Sequence, residues 1–280
     1  VVRSGFLFSL RARLSGDRSR LRSGRYTLKE GMSYAAALTA LTTAPKAVPT
    51  VNITIPEGPS RREEAPKLRA AGVKGSYLAA TRRSSKLDPR DYGAPRSTRS
   101  LEGFLYPDTY QLRRSDVTAR RLVSRQVEAF RTNFAKVSMA RAKRRNLSRY
   151  DVLIIASMIE REALVPRDRR LIAAVIYNRL KEGMPLGIDA TLRYGLNIPP
   201  TESIRQSQLE SDSPYNTRNH AGLPPTPIAN PGLASMQAAA HPANVDYLYF
   251  VRKPDKKHHF FTASFEAFQN YANTHGYGGP

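Results

Sequence analysis

Two glutamates in Ala156-Ser-Met-Ile-Glu160-Arg-Glu162-Ala163 are the side chains best placed to do chemistry. They follow the longest apolar run of the chain, Val152-Leu-Ile-Ile-Ala156, so they belong on a helix. At about 100° per residue, with Val152 as origin, Ile159 and Ala163 fall within about 20° of it and mark the buried face. Glu160 falls near ~80°, beside Leu153 and Ala156, and Glu162 near ~280°, beside Ile155. The two carboxylates therefore border the apolar stripe from opposite sides and cannot act as a close pair on one substrate. A carboxylate at such a border is partly desolvated, which favours its protonated form and suits a general acid. The alternative is a pair of boundary residues neutralised by neighbouring arginines.

The elements that must hold these residues are legible in outline. Ser148-Arg-Tyr-Asp151 predicts a capping-box start for the glutamate helix, which runs to about Ala163. Pro166 and Asp168 open a second helix ending at Gly183. Upstream, Phe6, Leu7, Leu10 and Leu14 have helical spacing; Arg25–Leu28 reads as a short strand, and Ser33 caps a helix to about Leu41. Val51-Asn-Ile-Thr-Ile55 alternates as a strand closed by Pro56-Glu-Gly58, and a short helix follows around 61–71. A long basic helix is expected over 116–145, with Leu122, Val123, Val127 and Phe130 as its apolar stripe. Residues 184–232 are Gly/Pro-rich and show no regular period, which points to a long functional loop. Tyr247–Val251 and His258–Thr262 read as a hairpin, and Ser264 caps a last helix.

Length and composition set limits. The 280 residues fit one large domain or two ordinary ones, and 40% hydrophobic residues suffice for a core. With no Cys, disulfide frameworks and thiol nucleophiles are excluded. The five His form no His-x-x-x-His pair, no phosphate-cradling glycine motif occurs, and no metal or cofactor is expected. No run approaches the ~20 apolar residues of a membrane span. The net charge of +22 is uneven: residues 1–150 hold 32 Lys+Arg against 11 Asp+Glu, whereas residues 151–280 hold 13 against 12. A field of this size draws anionic partners such as nucleic acid, acidic lipid or a charged polymer.

Several ordered motifs share one resemblance. They are Ile55-Pro-Glu-Gly58, Leu101-Glu-Gly-Phe-Leu-Tyr-Pro-Asp-Thr109, Glu160-Arg-Glu162, Tyr177-Asn-Arg-Leu180, Asp189-Ala-Thr-Leu-Arg-Tyr-Gly195, Tyr215-Asn-Thr217, Gly222–Gly232, Ala238-Ala-Ala-His-Pro242 and His259-Phe-Phe261. Over nearly its whole length the sequence resembles the endolytic murein transglycosylases, the YceG-like proteins. The resemblance implies an α+β architecture in which a small LysM-like subdomain (residues 1–83) and a linker or mobile loop (84–100) precede a catalytic domain (101–280). It implies a lyase that cuts the β-1,4 bond between N-acetylmuramic acid and N-acetylglucosamine in peptidoglycan strands, leaving 1,6-anhydro ends. Glu160, the first Glu of the Glu-x-Glu motif, would be the catalytic acid and then base. Such proteins act outside the cytoplasmic membrane, held by one N-terminal helix that these residues do not include. Peptidoglycan strands, peptidoglycan synthases and an anionic membrane or wall-polymer surface are the implied partners, with no nucleic acid.

On that resemblance the remaining clusters read as cleft wall. Asn178, Asp189, Thr191, Tyr215, Asn216 and Thr217 can hydrogen-bond sugar hydroxyls and acetamides, and Tyr194 and Tyr215 offer faces to pyranose rings. Asp189 is the best second carboxylate, unless it only forms a turn. His241 and His259 read as structural. A wall-binding protein with a dead cleft and a basic nucleic-acid-binding protein are the competing readings.

Overall fold

The computed structural model describes residues 5–24, 26–43 and 48–276. The chain divides into two compact units, Val1–Thr50 and Val51–Pro280. In the first, helix α1 (Gly5–Leu14) leads through a 3-10 turn (Asp17–Arg20), and α2 (Tyr34–Thr42) follows. Ser33 caps α2 as expected: its Oγ accepts the Ala36 N–H at 3.2 Å. Phe6, Leu7, Leu10 and Leu14 are all exposed. Tyr26–Leu28 is irregular rather than strand, and Arg25 lies outside the described residues.

The second unit is α+β, mostly helical with two small two-stranded sheets. Strand β1 (Thr50–Ile55) pairs with β2 (Asp108–Arg113), and Thr54 and Thr109 hydroxyls meet across them at 3.0 Å. Between them lie α3 (Arg61–Ala70), with a Ser60/Glu63 capping box, and the single turn α4 (Tyr77–Ala80). The pairing of β1 with β2 crosses the boundary expected at residues 84–100. That segment is not a free linker either. Leu87 and Ala94 are buried, Asp88 caps a 3-10 turn, and the Tyr92 ring packs on Phe104, Phe130 and Phe134 at 5.3–5.5 Å. Three apolar anchors are enough to fix a stretch whose Ser/Arg-rich composition reads as linker.

The expected long basic helix is broken into α5 (Ala119–Phe134) and the short α6 (Ala140–Lys143). A turn between them brings Val137 into the core. Then come α7 (Arg149–Glu162) and α8 (Pro166–Lys181). Both halves of the Ser148/Asp151 capping box form on α7, and Pro166 occupies the first turn of α8. The stretch expected to lack regular structure holds α9 (Asp189–Leu196) and the short α10 (Gln206–Leu209), ahead of α11 (Leu233–Ala240). Antiparallel β3 (Tyr249–Arg252) and β4 (His259–Thr262) form the expected hairpin, and α12 (Phe265–Thr274) follows its Ser264 cap.

Helix α7 is the centre of the unit. Every residue from Val152 to Ile159 is buried, with α8 and α11 packed against it. The Ala238-Ala-Ala240 end of α11 is small enough for close approach, and Tyr177 of α8 donates to the Ala239 carbonyl at 2.8 Å. No helix among the described residues is long and apolar enough to cross a membrane.

The segment over α7 leaves no room for a side chain at residue 103. Gly103 has φ +85, and a Cβ there would lie 2.7 Å from the Pro227 ring and 3.1 Å from Leu153. Gly103→Ala therefore combines left-handed strain with overpacking. It is expected to destabilise the second unit by roughly 2–4 kcal/mol, read as a lower urea midpoint. An unchanged midpoint would mean that this contact is loose.

Candidate active site

Three segments distant in sequence meet at the C-terminal end of α7. One is the Pro56-Glu-Gly58 turn that closes β1, the second is the loop Leu101–Pro107, and the third is Ile228–Gly232 leading into α11. Buried Asn230 joins them. Its Oδ1 accepts the N–H groups of Gly103 (2.9 Å) and Leu105 (3.2 Å), and its Nδ2 donates to the Pro59 carbonyl (3.2 Å) and to Glu102 (2.9 Å). Its own carbonyl accepts the Gly58 N–H at 3.2 Å. Ser157, inside α7, fixes the third segment by accepting the Ile228 N–H at 3.0 Å. Arg161 fixes the first, donating to the Gly58 carbonyl and to Glu63, each at 3.2 Å.

Glu160 is half-buried at this junction, and its Oε2 accepts the backbone N–H of Gly232 at 2.8 Å. Gly232 is the N-cap of α11, so the carboxylate meets the positive end of a helix. On the same glycine lies the carboxylate of Glu57: a Cβ at residue 232 would fall 1.7 Å from Glu57 Oε1. That partial burial, with the Glu160 carboxylate beside it, pushes the pKa of Glu57 up, and Arg169 opposes the rise. Arg169 itself donates to Ser235 of α11 at 3.3 Å. The Tyr106 hydroxyl completes the group; it takes the Leu233 N–H, and burial, then the charge of Glu57, push its pKa up.

Glu162 faces elsewhere. Its carboxylate is 3.8 Å from Arg252 of β3. Burial raises its pKa, and Arg252 is the main opposing influence. The two glutamates of the helix end thus have different neighbours on different flanks, as the helical angles predict.

The expected sugar contacts divide into two groups. Asn178 donates to the carbonyls of Val245 and Tyr247, both at 2.9 Å. Buried Asn216 donates to those of Leu209 (2.8 Å) and Ser211 (2.7 Å). Buried Thr191 donates to the Ile188 carbonyl at 2.7 Å and meets the Thr217 hydroxyl at 3.0 Å, while Thr217 accepts the Ile188 N–H at 3.0 Å. As folded, these four side chains hold the loops around α9 and the approach to β3; their polar groups already have protein partners. Tyr194, Tyr215 and Asp189 are more open. The two tyrosine rings lie 5.2 Å apart, with the Arg62 guanidinium 5.4 Å over Tyr194. They border a hollow of about 670 Å³ also lined by Arg82, Arg83 and Arg99. Asp189 is exposed and paired with Arg218. His259 is structural, with Nδ1 2.9 Å from the buried Asp168 carboxylate. Among the described residues no group of three His, Asp or Glu side chains could hold a metal ion.

Glu57, Tyr106 and Arg169 were not among the residues expected at the site. Glu57 stands inside the Ile55-Pro-Glu-Gly58 motif, and a charged residue in a rigid turn was the available signal.

Comparison with known proteins decides the family. The family model described as "YceG-like family" matches residues 1–274. The chain belongs to the YceG-like family. A crystal structure of a yceG-like protein from Listeria monocytogenes superposes with a TM-score of 0.66 at 30% identity, covering 96% of this chain and 91% of that one. A Bacillus subtilis protein named endolytic murein transglycosylase is 40% identical over 154 residues, 55% of this chain and 42% of that protein. A Streptococcus pneumoniae protein of the same name is 29% identical over 281 aligned positions, 90% of this chain and 50% of that protein. The chain spans about half the length of these curated relatives or less.

One carboxyl of this YceG-like site gives a pH test. Glu102 is 1% exposed, and burial pushes its pKa up to about 7 against the hydrogen bonds from Arg61 N–H, Tyr194 and Asn230. A carboxyl raised in the folded state stabilises most below its unfolded pKa, and that contribution is lost as pH climbs through about 7. The loss has an upper bound on the order of 3 kcal/mol. Glu102→Gln can keep the same partners without the charge. Its melting temperature should stay flatter across that window than the wild type's, and parallel curves would show that Glu102 does not titrate there.

Proposed function

We propose that this chain carries the catalytic part of an endolytic lytic transglycosylase acting on peptidoglycan strands, with Glu160 as its acid and base. The observation that carries the reading is the setting of Glu160. It is a half-buried carboxylate at the end of the central helix, oriented by the Gly232 N–H at 2.8 Å, with Glu162 turned to the other flank. Relatives named endolytic murein transglycosylase support the substrate class.

An ordinary glycosidase needs two carboxyl groups, one as acid and one as base or nucleophile. A lyase needs an acid and an internal nucleophile. Glu160 donates its proton to the glycosidic oxygen between N-acetylmuramic acid and N-acetylglucosamine. The C1–O bond breaks with its electron pair going to that oxygen. Glu160, now a carboxylate, takes the proton of the muramic C6 hydroxyl as that oxygen closes on C1. The result is a 1,6-anhydro end, with no water consumed. The nucleophile belongs to the substrate, so its approach is intramolecular and entropically favoured. Tyr194 and Tyr215 supply faces for sugar rings, and Asp189 is the polar contact open on that side.

The wider reading follows from it. The N-terminal residues act as a LysM-like wall-binding region, and the protein works at the outer face of the cytoplasmic membrane, near peptidoglycan synthases. The basic surface of residues 1–150 lies against anionic lipid or wall polymer.

Glu160→Gln preserves shape and can still accept the Gly232 N–H, but it cannot donate a carboxyl proton. Cleavage of purified peptidoglycan should fall by at least ~10²-fold, with the melting temperature held. Glu162→Gln should be milder. A folded Glu160→Gln protein with full activity would remove Glu160 from the chemistry. A wild-type protein that binds strands without cutting them would favour the wall-binding reading.

A further inference from the structure

The chemistry just described uses one carboxylate, yet the structure holds two at the same point. The Glu160 carboxylate accepts the Gly232 N–H at 2.8 Å, and the Glu57 carboxylate occupies the place where a side chain on residue 232 would begin, 1.7 Å from the Cβ position. With ordinary N–Cα–Cβ geometry these contacts put a carboxylate oxygen of each residue within about 7 Å of the other. Gly232 has φ −76 and ψ 174, an extended conformation open to any residue, so its backbone does not demand glycine. What excludes a side chain there is Glu57.

The turn that presents Glu57 is fixed on three sides. Gly58 donates to the Asn230 carbonyl at 3.2 Å, Arg161 grips the Gly58 carbonyl at 3.2 Å, and Pro59 accepts from Asn230. The charged and titratable groups facing the pair come from every surrounding element. Arg169 reaches Glu57 from α8, and Tyr106 faces both carboxylates from the 101–107 loop, with Asp108 behind it. Arg161, next to Glu160 in sequence, is turned away onto Glu63. Arg169 is the cation that opposes the pKa rise at Glu57. The Glu160 carboxylate is a like charge near Glu57 and, after burial, is a further cause of its raised pKa.

We propose that Glu57 is a positioning residue for the catalytic proton: held beside Glu160 on Gly232, its negative charge favours the proton staying on Glu160 until the glycosidic oxygen takes it. This rests on the function proposed above. The exchange balances, because the proton that leaves Glu160 for the leaving oxygen is returned to Glu160 from the C6 hydroxyl. The second carboxylate activates no water; it keeps the site loaded with a proton at a pH where a solitary carboxyl would be empty. Glycine at 232 is required because the position must offer an N–H to one carboxylate and space to the other.

Two variants separate this role from a structural one. Glu57→Gln removes the second charge. Gly232→Ala displaces the Glu57 carboxylate while the N–H that holds Glu160 is kept. Both should move the alkaline limb of the cleavage profile on uncross-linked glycan strands to lower pH by about one unit, roughly a tenfold loss at a fixed pH on that limb. A uniform loss with the limb unmoved would overturn the proposal. A second readout is independent of turnover: the carboxyl-carbon titration of Glu57, followed by NMR, should shift to lower pH in Glu160→Gln. An unmoved titration would show that the two groups are uncoupled and overturn the proposal even in an active enzyme. A shifted titration in a wild-type protein that cuts nothing would sustain the pair and refute the function proposed for it.

Discussion

Asn230 is a buried side chain whose four hydrogen-bonding contacts tie its own segment, ahead of α11, to two other parts of the chain: the turn at 57–60 and the loop at 101–105. An amide that donates and accepts in this way has few alternative placements in a core, since each unmade bond would leave a desolvated polar group. The position of everything around Glu160 follows from it. The turn carries Glu57, the loop carries Glu102 and Tyr106, and the segment ends at Gly232, which orients Glu160. Helix α7 supplies the rigid backing for this joint, with Ser157 as its direct tie.

The local parts of this arrangement were legible in the sequence. The Ser148/Asp151 capping box, Pro166 at the start of α8, the Ser33 and Ser264 caps and the β3–β4 hairpin all depend on residues within a few positions of one another. The separation of Glu160 from Glu162 follows from helix geometry alone. Failures occur where distant contacts decide. Residues 84–100 read as linker by composition, but Leu87, Tyr92 and Ala94 find partners far along the chain. Helix α9 was hidden because its apolar face is short and is set by packing on α7.

Polar residues in motifs raise a harder question. A sequence motif does not say whether an Asn or Thr turns its groups to a ligand or to the backbone. Asn178, Thr191, Asn216 and Thr217 turn theirs to the protein, and each shapes a loop near the tyrosines. Glu57 is the converse, a turn residue whose importance depends on two residues more than a hundred positions away. The basic half of the chain shows a related split: the Arg82, Arg83 and Arg99 side chains line the hollow beside Tyr194 and Tyr215 and give it a positive field.

The proposed bond cleavage uses the sugar's own hydroxyl as nucleophile. The most direct measurement is digestion of uncross-linked glycan strands in oxygen-18 water, followed by mass spectrometry of the products. Muramic ends lighter by one water, without label and without a reducing group, are the predicted result. Labelled reducing ends would show that water is the nucleophile and would contradict it.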